Sequence, residues 1–190
     1  GKIVVNLIYS ERQSIADNLN LLEDNLKNGK QSLNSLMAEY KNRPVVFALS
    51  NPTANAECTA AQAWSWSNGS AVFASGSPFP AQDVNGQHRV PGQANNAYVF
   101  PGIGLGVLAS QARLVTPEMF LAAARTLAKL ARPEDLAMDC LFPPLTKIRD
   151  VSVDIGVAVA EVAYKRKLTP GKRPADLTKL VRAHQYQPVY

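Results

Sequence analysis

The side chains best suited to chemistry in this sequence are amides. Asn95 and Asn96 stand side by side in Gln93-Ala94-Asn95-Asn96-Ala97-Tyr98, and a carboxamide offers two donors and an acceptor without carrying charge. Adjacent amides ahead of an apolar segment can present both donors and acceptors to a polar ligand. At a helix start they would share its positive end as well, which favours a bound carboxylate or phosphate. Helix capping is the competing use of the same groups. Ser50 and Asn51 bring similar chemistry to Leu49-Ser50-Asn51-Pro52-Thr53, a polar tip that closes the apolar run Val45-Val46-Phe47-Ala48-Leu49.

Other reactive residue types lack the spacing their chemistry needs. His88 and His184 have no carboxylate or cysteine at ligand spacing, and no Ser/His/Asp arrangement can be assembled around them. Asp139, Asp150 and Asp154 are spaced too loosely for a metal site and read as caps or exposed charges. Cys58 and Cys140 lie far apart with no CxxC pattern, which implies neither zinc nor a disulfide framework and favours a reducing compartment. Gly102-Ile103-Gly104-Leu105-Gly106 imitates a dinucleotide fingerprint, but Val107 follows and no strand precedes; close helix packing is the better use of those glycines.

The elements that must position the amides can be read from hydrophobic pattern. The run from Val45 to Leu49 predicts a buried parallel strand with its polar tip at the carboxyl end. Thr59 caps a helix through Ala60-Ala61-Gln62-Ala63-Trp64, Asn68-Gly69 stops it, and Ala71-Val72-Phe73-Ala74 predicts a second strand ending in Ser75-Gly76-Ser77-Pro78. A strand–helix–strand unit places both polar tips on one sheet edge, where open α/β sheets bind ligands.

Asn85-Gly86 predicts a tight turn in a small hairpin that leaves His88 exposed. Beyond it the pattern is helical: a buried helix within 93–110 interrupted or capped near Pro101, one opening at Thr116-Pro117-Glu118, a short one near 133–138, and a long one over 148–167. The tail is proline-rich. Residues 1–42 differ in texture and predict one strand followed by two amphipathic helices without visible chemistry. The fold class expected is α/β, a partial Rossmann-like parallel sheet followed by a C-terminal helical region.

Composition narrows the function classes. With 46% hydrophobic and 18% charged residues, the chain reads as a globular protein, and no apolar run reaches the ~20 residues needed to span a bilayer. The opening residues Gly1 to Ile8 read as a strand and not as a targeting signal. The net charge of +5 is dispersed, clustering only at Lys165-Arg166-Lys167 and Lys172-Arg173 without interleaved aromatics. Neither nucleic acid nor membrane is expected as a partner.

Four words in order carry a specific likeness: Arg43-Pro44-Val45-Val46-Phe47-Ala48-Leu49-Ser50-Asn51-Pro52-Thr53, Ala56-Glu57-Cys58-Thr59, Phe73-Ala74-Ser75-Gly76-Ser77-Pro78-Phe79, and Pro91-Gly92-Gln93-Ala94-Asn95-Asn96-Ala97-Tyr98-Val99-Phe100-Pro101-Gly102. From about Arg43 onward the chain resembles malic enzymes, continuing through Phe142-Pro143-Pro144-Leu145, Ile148-Arg149 and Arg173-Pro174-Ala175-Asp176-Leu177. The resemblance implies that residues 43–190 are the C-terminal part of an NAD(P)-binding domain with a helical tail. Residues 1–42 do not resemble the family and stay unassigned.

The same resemblance implies oxidative decarboxylation of malate to pyruvate and carbon dioxide, with NADP or NAD and Mg2+ or Mn2+. It implies substrate contacts at Asn51, Asn95 and Asn96, and cofactor contacts at Ser50, Asn51 and Asn95. Neutral amides suit that role because they fix a hydroxyl and a carboxylate without competing for the metal. The family's general acid, general base, metal ligands and glycine-rich loop have no counterpart here. No catalytic residue and no metal ligand is therefore expected within this chain, and the chain alone is expected to be inactive. The alternative is a noncatalytic product that pairs with full-length subunits or only binds nucleotide. Kinship further implies a homo-oligomer, dimer or tetramer, in the cytoplasm or an organelle matrix.

Overall fold

The computed structural model describes residues 44–187. The strand and two helices expected within 1–42 lie outside the described residues, as does the extreme C-terminus. The chain divides into two compact units, the first taking in residues up to Asn95 together with Leu136–Cys140, the second Asn96–Asp135 and Leu141 onward.

The first unit is α/β. Strand β1, Val45–Ala48, leads through the short 3-10 turn Thr53–Asn55 to helix α1, Ala60–Trp66, and then to strand β2, Val72–Ser75. Strands β1 and β2 pair in parallel with Val45 opposite Val72 and Ala48 opposite Ser75, as the strand–helix–strand reading requires. Thr59 caps α1 reciprocally: its hydroxyl accepts from the Gln62 N–H at 3.2 Å while its own N–H donates to the Gln62 side chain at 2.9 Å. Asn68 and Gly69 end the helix in left-handed backbone, at φ of 51° and 75°.

Burying β1 and β2 against α1 builds a small core of Val46, Ala48, Cys58, Ala60, Ala63, Trp64, Ala71 and Phe73. The Trp64 ring meets Phe73 edge-on and its indole N–H donates to the Ala71 carbonyl at 3.0 Å, so the one polar atom of the ring is satisfied inside. Beyond β2 the predicted hairpin forms from β3, Gln82–Val84, and β4, Gln87–Arg89. Asn85 and Gly86 both take positive φ, 52° and 75°, as a two-residue turn of the primed type demands.

The sheet has one more strand than the sequence pattern shows. Gly92–Gln93, β5, pairs in parallel with β2, giving the order β1-β2-β5. Two residues with no apolar run leave no periodicity to read. The expected helix within 93–110 accordingly begins late: a 3-10 turn at Asn96–Tyr98 precedes helix α2, Phe100–Ser110, which has Pro101 in its first turn.

The second unit is helical. Besides α2 it contains α3, Pro117–Lys129, part of the short α4, Pro133–Ala137, the long α5, Ile148–Lys165, and α6, Leu177–His184. Two glycines of the mock fingerprint, Gly102 and Gly106, pack helices as expected, and Gly104 between them faces open space. A Cβ on Gly106 would lie 2.5 Å from the Gly156 carbonyl and 2.8 Å from Val159, and one on Gly102 would lie 2.7 Å from Ile155, so α2 and α5 meet at backbone distance. Around that seam Tyr98, Ile103, Met119, Ala123, Leu127, Val151, Ile155, Val159 and Ala163 form the core. The Tyr98 hydroxyl donates to the Pro143 carbonyl at 2.5 Å and its ring stacks on Phe142.

Helix α6 was hidden by the prolines of the tail. Its Asp176 accepts the Lys179 N–H at 2.8 Å as an N-cap, and Leu177 and Val181 are buried one helical turn apart. No helix among the described residues is long and apolar enough to cross a membrane.

Candidate functional site

Parallel pairing decides where the polar tips go. Ala48, Ser75 and Gln93 are successive register partners across β1, β2 and β5. The segments following them therefore leave from one edge of the sheet, the carboxyl ends at which such sheets place ligands. Ser50 and Asn51 follow β1, Ser77 follows β2, and Asn95 follows β5.

The first two of these loops are tied together. The Gly76 N–H donates to the Ala48 carbonyl at 3.0 Å. A Cβ on Gly76 would stand 2.5 Å from the Leu49 carbonyl and 2.9 Å from both Asn51 amide atoms, so only glycine permits this approach. Beside it the Ser77 hydroxyl donates to Asn51 Oδ1 at 2.5 Å, across 26 residues of sequence. Ser77 is itself fixed through its carbonyl, which accepts from the buried Ser75 hydroxyl at 2.7 Å. The third loop joins by two bonds: Gln93 Nε2 donates to the Gly76 carbonyl at 3.3 Å and the Ala94 N–H to the Ser75 carbonyl at 2.8 Å.

The loop after β1 folds back on Glu57. Ser50 donates twice to that carboxylate, from its hydroxyl at 2.5 Å and its N–H at 3.3 Å. Burial pushes the Glu57 carboxyl up, but the Ser50 hydroxyl and the N–H groups of Glu57 and Ser50 outweigh it and hold the carboxyl below its ordinary value. Next to it Cys58 is buried, and burial together with the Glu57 charge pushes its thiol up to about 11. A thiol so raised stays protonated at neutral pH and is no nucleophile.

Of the sequence-predicted site residues, Ser50, Asn51 and Asn95 fall on this edge of the first unit, with Asn51 exposed and Ser50 and Asn95 half-buried. Asn96 is exposed and opens the second unit in a 3-10 turn. Neither amide starts the helix as expected: Val99 is the N-cap of α2, and the Asn96 backbone carbonyl accepts the Val99 N–H at 3.0 Å.

Two further readings change. His88 is exposed as expected but has a carboxylate partner, Asp83 at 2.9 Å, which the hairpin brings opposite it. Asp139 is neither a cap nor an exposed charge; it is buried in an ion pair with Arg89 at 3.0 Å. Sequence reasoning passed over Ser77, Gly76 and Glu57 as site residues. The signal available was their position in the second polar tip, Ser75-Gly76-Ser77-Pro78, and in Ala56-Glu57-Cys58-Thr59 just after the first.

The donor set fixes what the edge can hold. Among the described residues no group of three or more His, Cys, Asp or Glu converges to bind a metal ion. The one carboxylate at the loops, Glu57, already accepts from Ser50. These residues do not fit a divalent cation. Amides and hydroxyls do fit neutral hydrogen-bonding groups of a ligand, such as a carboxamide or an alcohol, and the oxygens of a carboxylate.

A family model described as the malic enzyme NAD-binding domain matches residues 29–164. The chain belongs to the malic enzyme family. The match begins upstream of Arg43. A chloroplastic NADP-dependent malic enzyme of Oryza sativa subsp. japonica is 51% identical over 155 residues, which are 81% of this chain and 24% of that protein. A mitochondrial NAD-dependent malic enzyme of Ascaris suum is 46% identical over 157 residues, with the same coverage of 81% and 24%. The chain thus spans about a quarter of the length of these relatives. In three dimensions it is similar to the crystal structure of Entamoeba histolytica malic enzyme, with a TM-score of 0.63 at 23% identity over 80% of this chain and 28% of that one. The Rossmann-like α/β fold is that of malic enzymes.

Proposed function

We propose that residues 43–190 are the C-terminal part of the NAD(P)-binding domain of a malic enzyme that converts malate to pyruvate and carbon dioxide. The single observation that carries this reading is the convergence of the loops after β1 and β2 on Asn51, within a chain of this family. In it Asn51 and Asn95, with Asn96 as the chain neighbour of Asn95, hydrogen-bond malate, and Ser50, Asn51 and Asn95 meet the nicotinamide end of the cofactor. Bound NADP or NAD supplies the hydride acceptor. The work of this chain is to orient alcohol and carboxylate with neutral groups, so that the reacting atoms meet in one geometry.

Acid–base catalysis and the divalent metal, Mg2+ or Mn2+, are assigned to segments outside this chain, so the 190-residue chain by itself does not turn over malate. The intact enzyme works as a homo-oligomer in a reducing compartment, cytoplasm or organelle matrix.

The test is an assay of the intact gene product with malate, Mn2+ and either nucleotide. Pyruvate and reduced nucleotide are expected in equal amounts, and Asn51→Ala is expected to lower kcat/KM roughly a hundredfold, the scale of a misplaced substrate. Full activity in Asn51→Ala, or no pyruvate from the intact protein, would sink the proposal. Turnover by the 190-residue chain alone would refute the division of labour.

A further inference from the structure

The Ser77–Asn51 contact has a direction. A serine hydroxyl has one proton to donate, and here it goes to Asn51 Oδ1 at 2.5 Å. Asn51 is exposed, Ser77 is half-buried, and the backbone of Gly76 closes the other side of the amide, where a Cβ would meet both amide atoms at 2.9 Å. The Ser77 backbone is held in turn by the buried Ser75 hydroxyl on its carbonyl. An exposed asparagine amide otherwise turns about its last bond with a broad, roughly twofold preference. This one is engaged at its oxygen, which leaves the Nδ2 protons as its free donors.

We propose that Ser77 is a positioning residue: it locks the Asn51 amide oxygen-inward, so that Asn51 meets its ligand as a hydrogen-bond donor and selects an acceptor oxygen. This rests on the reading of Asn51 as a substrate-side contact and sharpens it. An acceptor oxygen is what a carboxylate, an alcohol or a carboxamide carbonyl presents, whereas the N–H face of a carboxamide is refused. Gly76 belongs to the same device, because any side chain there would push the amide out of register.

The test is a double-substitution cycle in the intact enzyme, read as kcat/KM for malate per folded active site. Ser77→Ala is expected to lower kcat/KM about tenfold, the loss of one orienting hydrogen bond, with the unfolding midpoint unchanged. In the Asn51→Ala background the same substitution is expected to do nothing further, since two residues acting through one contact are not additive. Asn51→Asp keeps the acceptor for Ser77 but replaces the outward donor with an oxygen, and is expected to raise KM for malate beyond the level of Asn51→Ala.

Equal losses from Ser77→Ala in both backgrounds would show a merely structural role and overturn the proposal. So would a silent Ser77→Ala, or an Asn51→Asp as good as wild type. Those outcomes leave the substrate-side role of Asn51 standing, whereas a silent Asn51→Ala removes that role and the positioning role together.

Discussion

The two units of this chain solve opposite problems with the same residue type. In the α/β unit Gly76 lets two polar loops close on each other, so that Ser77 can reach Asn51. In the helical unit Gly102 and Gly106 let α2 settle against α5 at backbone distance, with Ile155, Gly156 and Val159 filling the seam. One glycine shapes the loops at a sheet edge and the others shape a core. The first unit adds loop hydrogen bonds and a buried charge pair to its small apolar core, the second rests on apolar burial along the α2–α5 seam, and single substitutions should therefore damage them by different mechanisms. Both tryptophans, Trp64 and Trp66, lie in the first unit, and the longest of the described helices, α3 and α5, lie in the second. Tryptophan fluorescence thus reports the first unit, and the far-ultraviolet circular dichroism of the described residues is weighted toward the helices of the second.

The largest expected effect is Asp139→Ala. Arg89 and Asp139 are about nine-tenths buried, and removing the carboxylate leaves the Arg89 guanidinium inside without it. Breaking such a pair costs roughly 3–5 kcal/mol, and the positive φ of Asp139, 63°, adds to the penalty for alanine. The tryptophan-detected urea midpoint should fall well below that of wild type while the far-ultraviolet signal keeps a later transition. A single shared shift would break the separation between the units.

Next comes Gly106→Val, which forces side-chain atoms onto the Gly156 carbonyl and Val159. Overpacking of this kind costs roughly 1–3 kcal/mol and should appear first in the far-ultraviolet signal. If only tryptophan fluorescence responded, the apolar seam would not be what holds the second unit.

Local chemistry and the crossover it implies were legible in the sequence, and long-range side-chain pairing was not. The Thr59 cap and the Asn85-Gly86 turn each depend on residues within a few positions of one another, the parallel pairing of β1 with β2 follows from the strand–helix–strand order, and the structure has all three. Asn51 with Ser77 and Arg89 with Asp139 are joined only by folding, across 26 residues in the first case, and no periodicity announces them. Strand β5 escaped because two residues carry no alternation, although its pairing with β2 is what brings Asn95 to the sheet edge. Helix α6 is a different failure: Leu177, Leu180 and Val181 have helical spacing behind an Asp176 cap, and the prolines before them masked it.

A smaller effect is expected at the cap of α1. Thr59→Ala removes one bond of the reciprocal pair with Gln62 outright and loosens the other, worth about 1 kcal/mol. The loss belongs to the first unit and should show in tryptophan-detected unfolding. Thr59→Ser keeps the acceptor and should recover most of it; no recovery would mean that the methyl group, not the cap, was responsible.

The smallest effect has the opposite sign and tests the glycine comparison most sharply. Gly104 lies on α2 between the two packing glycines, yet a Cβ there meets no described atom within 4 Å. If all three glycines served one flexible phosphate-binding loop, substitution at any of them would do harm. If they serve helix packing, only the two that face α5 are constrained, and Gly104 is a helix-interior glycine with the usual entropic cost. Gly104→Ala should then raise the far-ultraviolet unfolding midpoint by up to about 1 kcal/mol of stability, while Gly106→Ala lowers it because even one methyl group reaches the Gly156 carbonyl. A loss at Gly104 as large as that at Gly106 would place a second packed surface on the outer face of α2 and remove the distinction between the glycines.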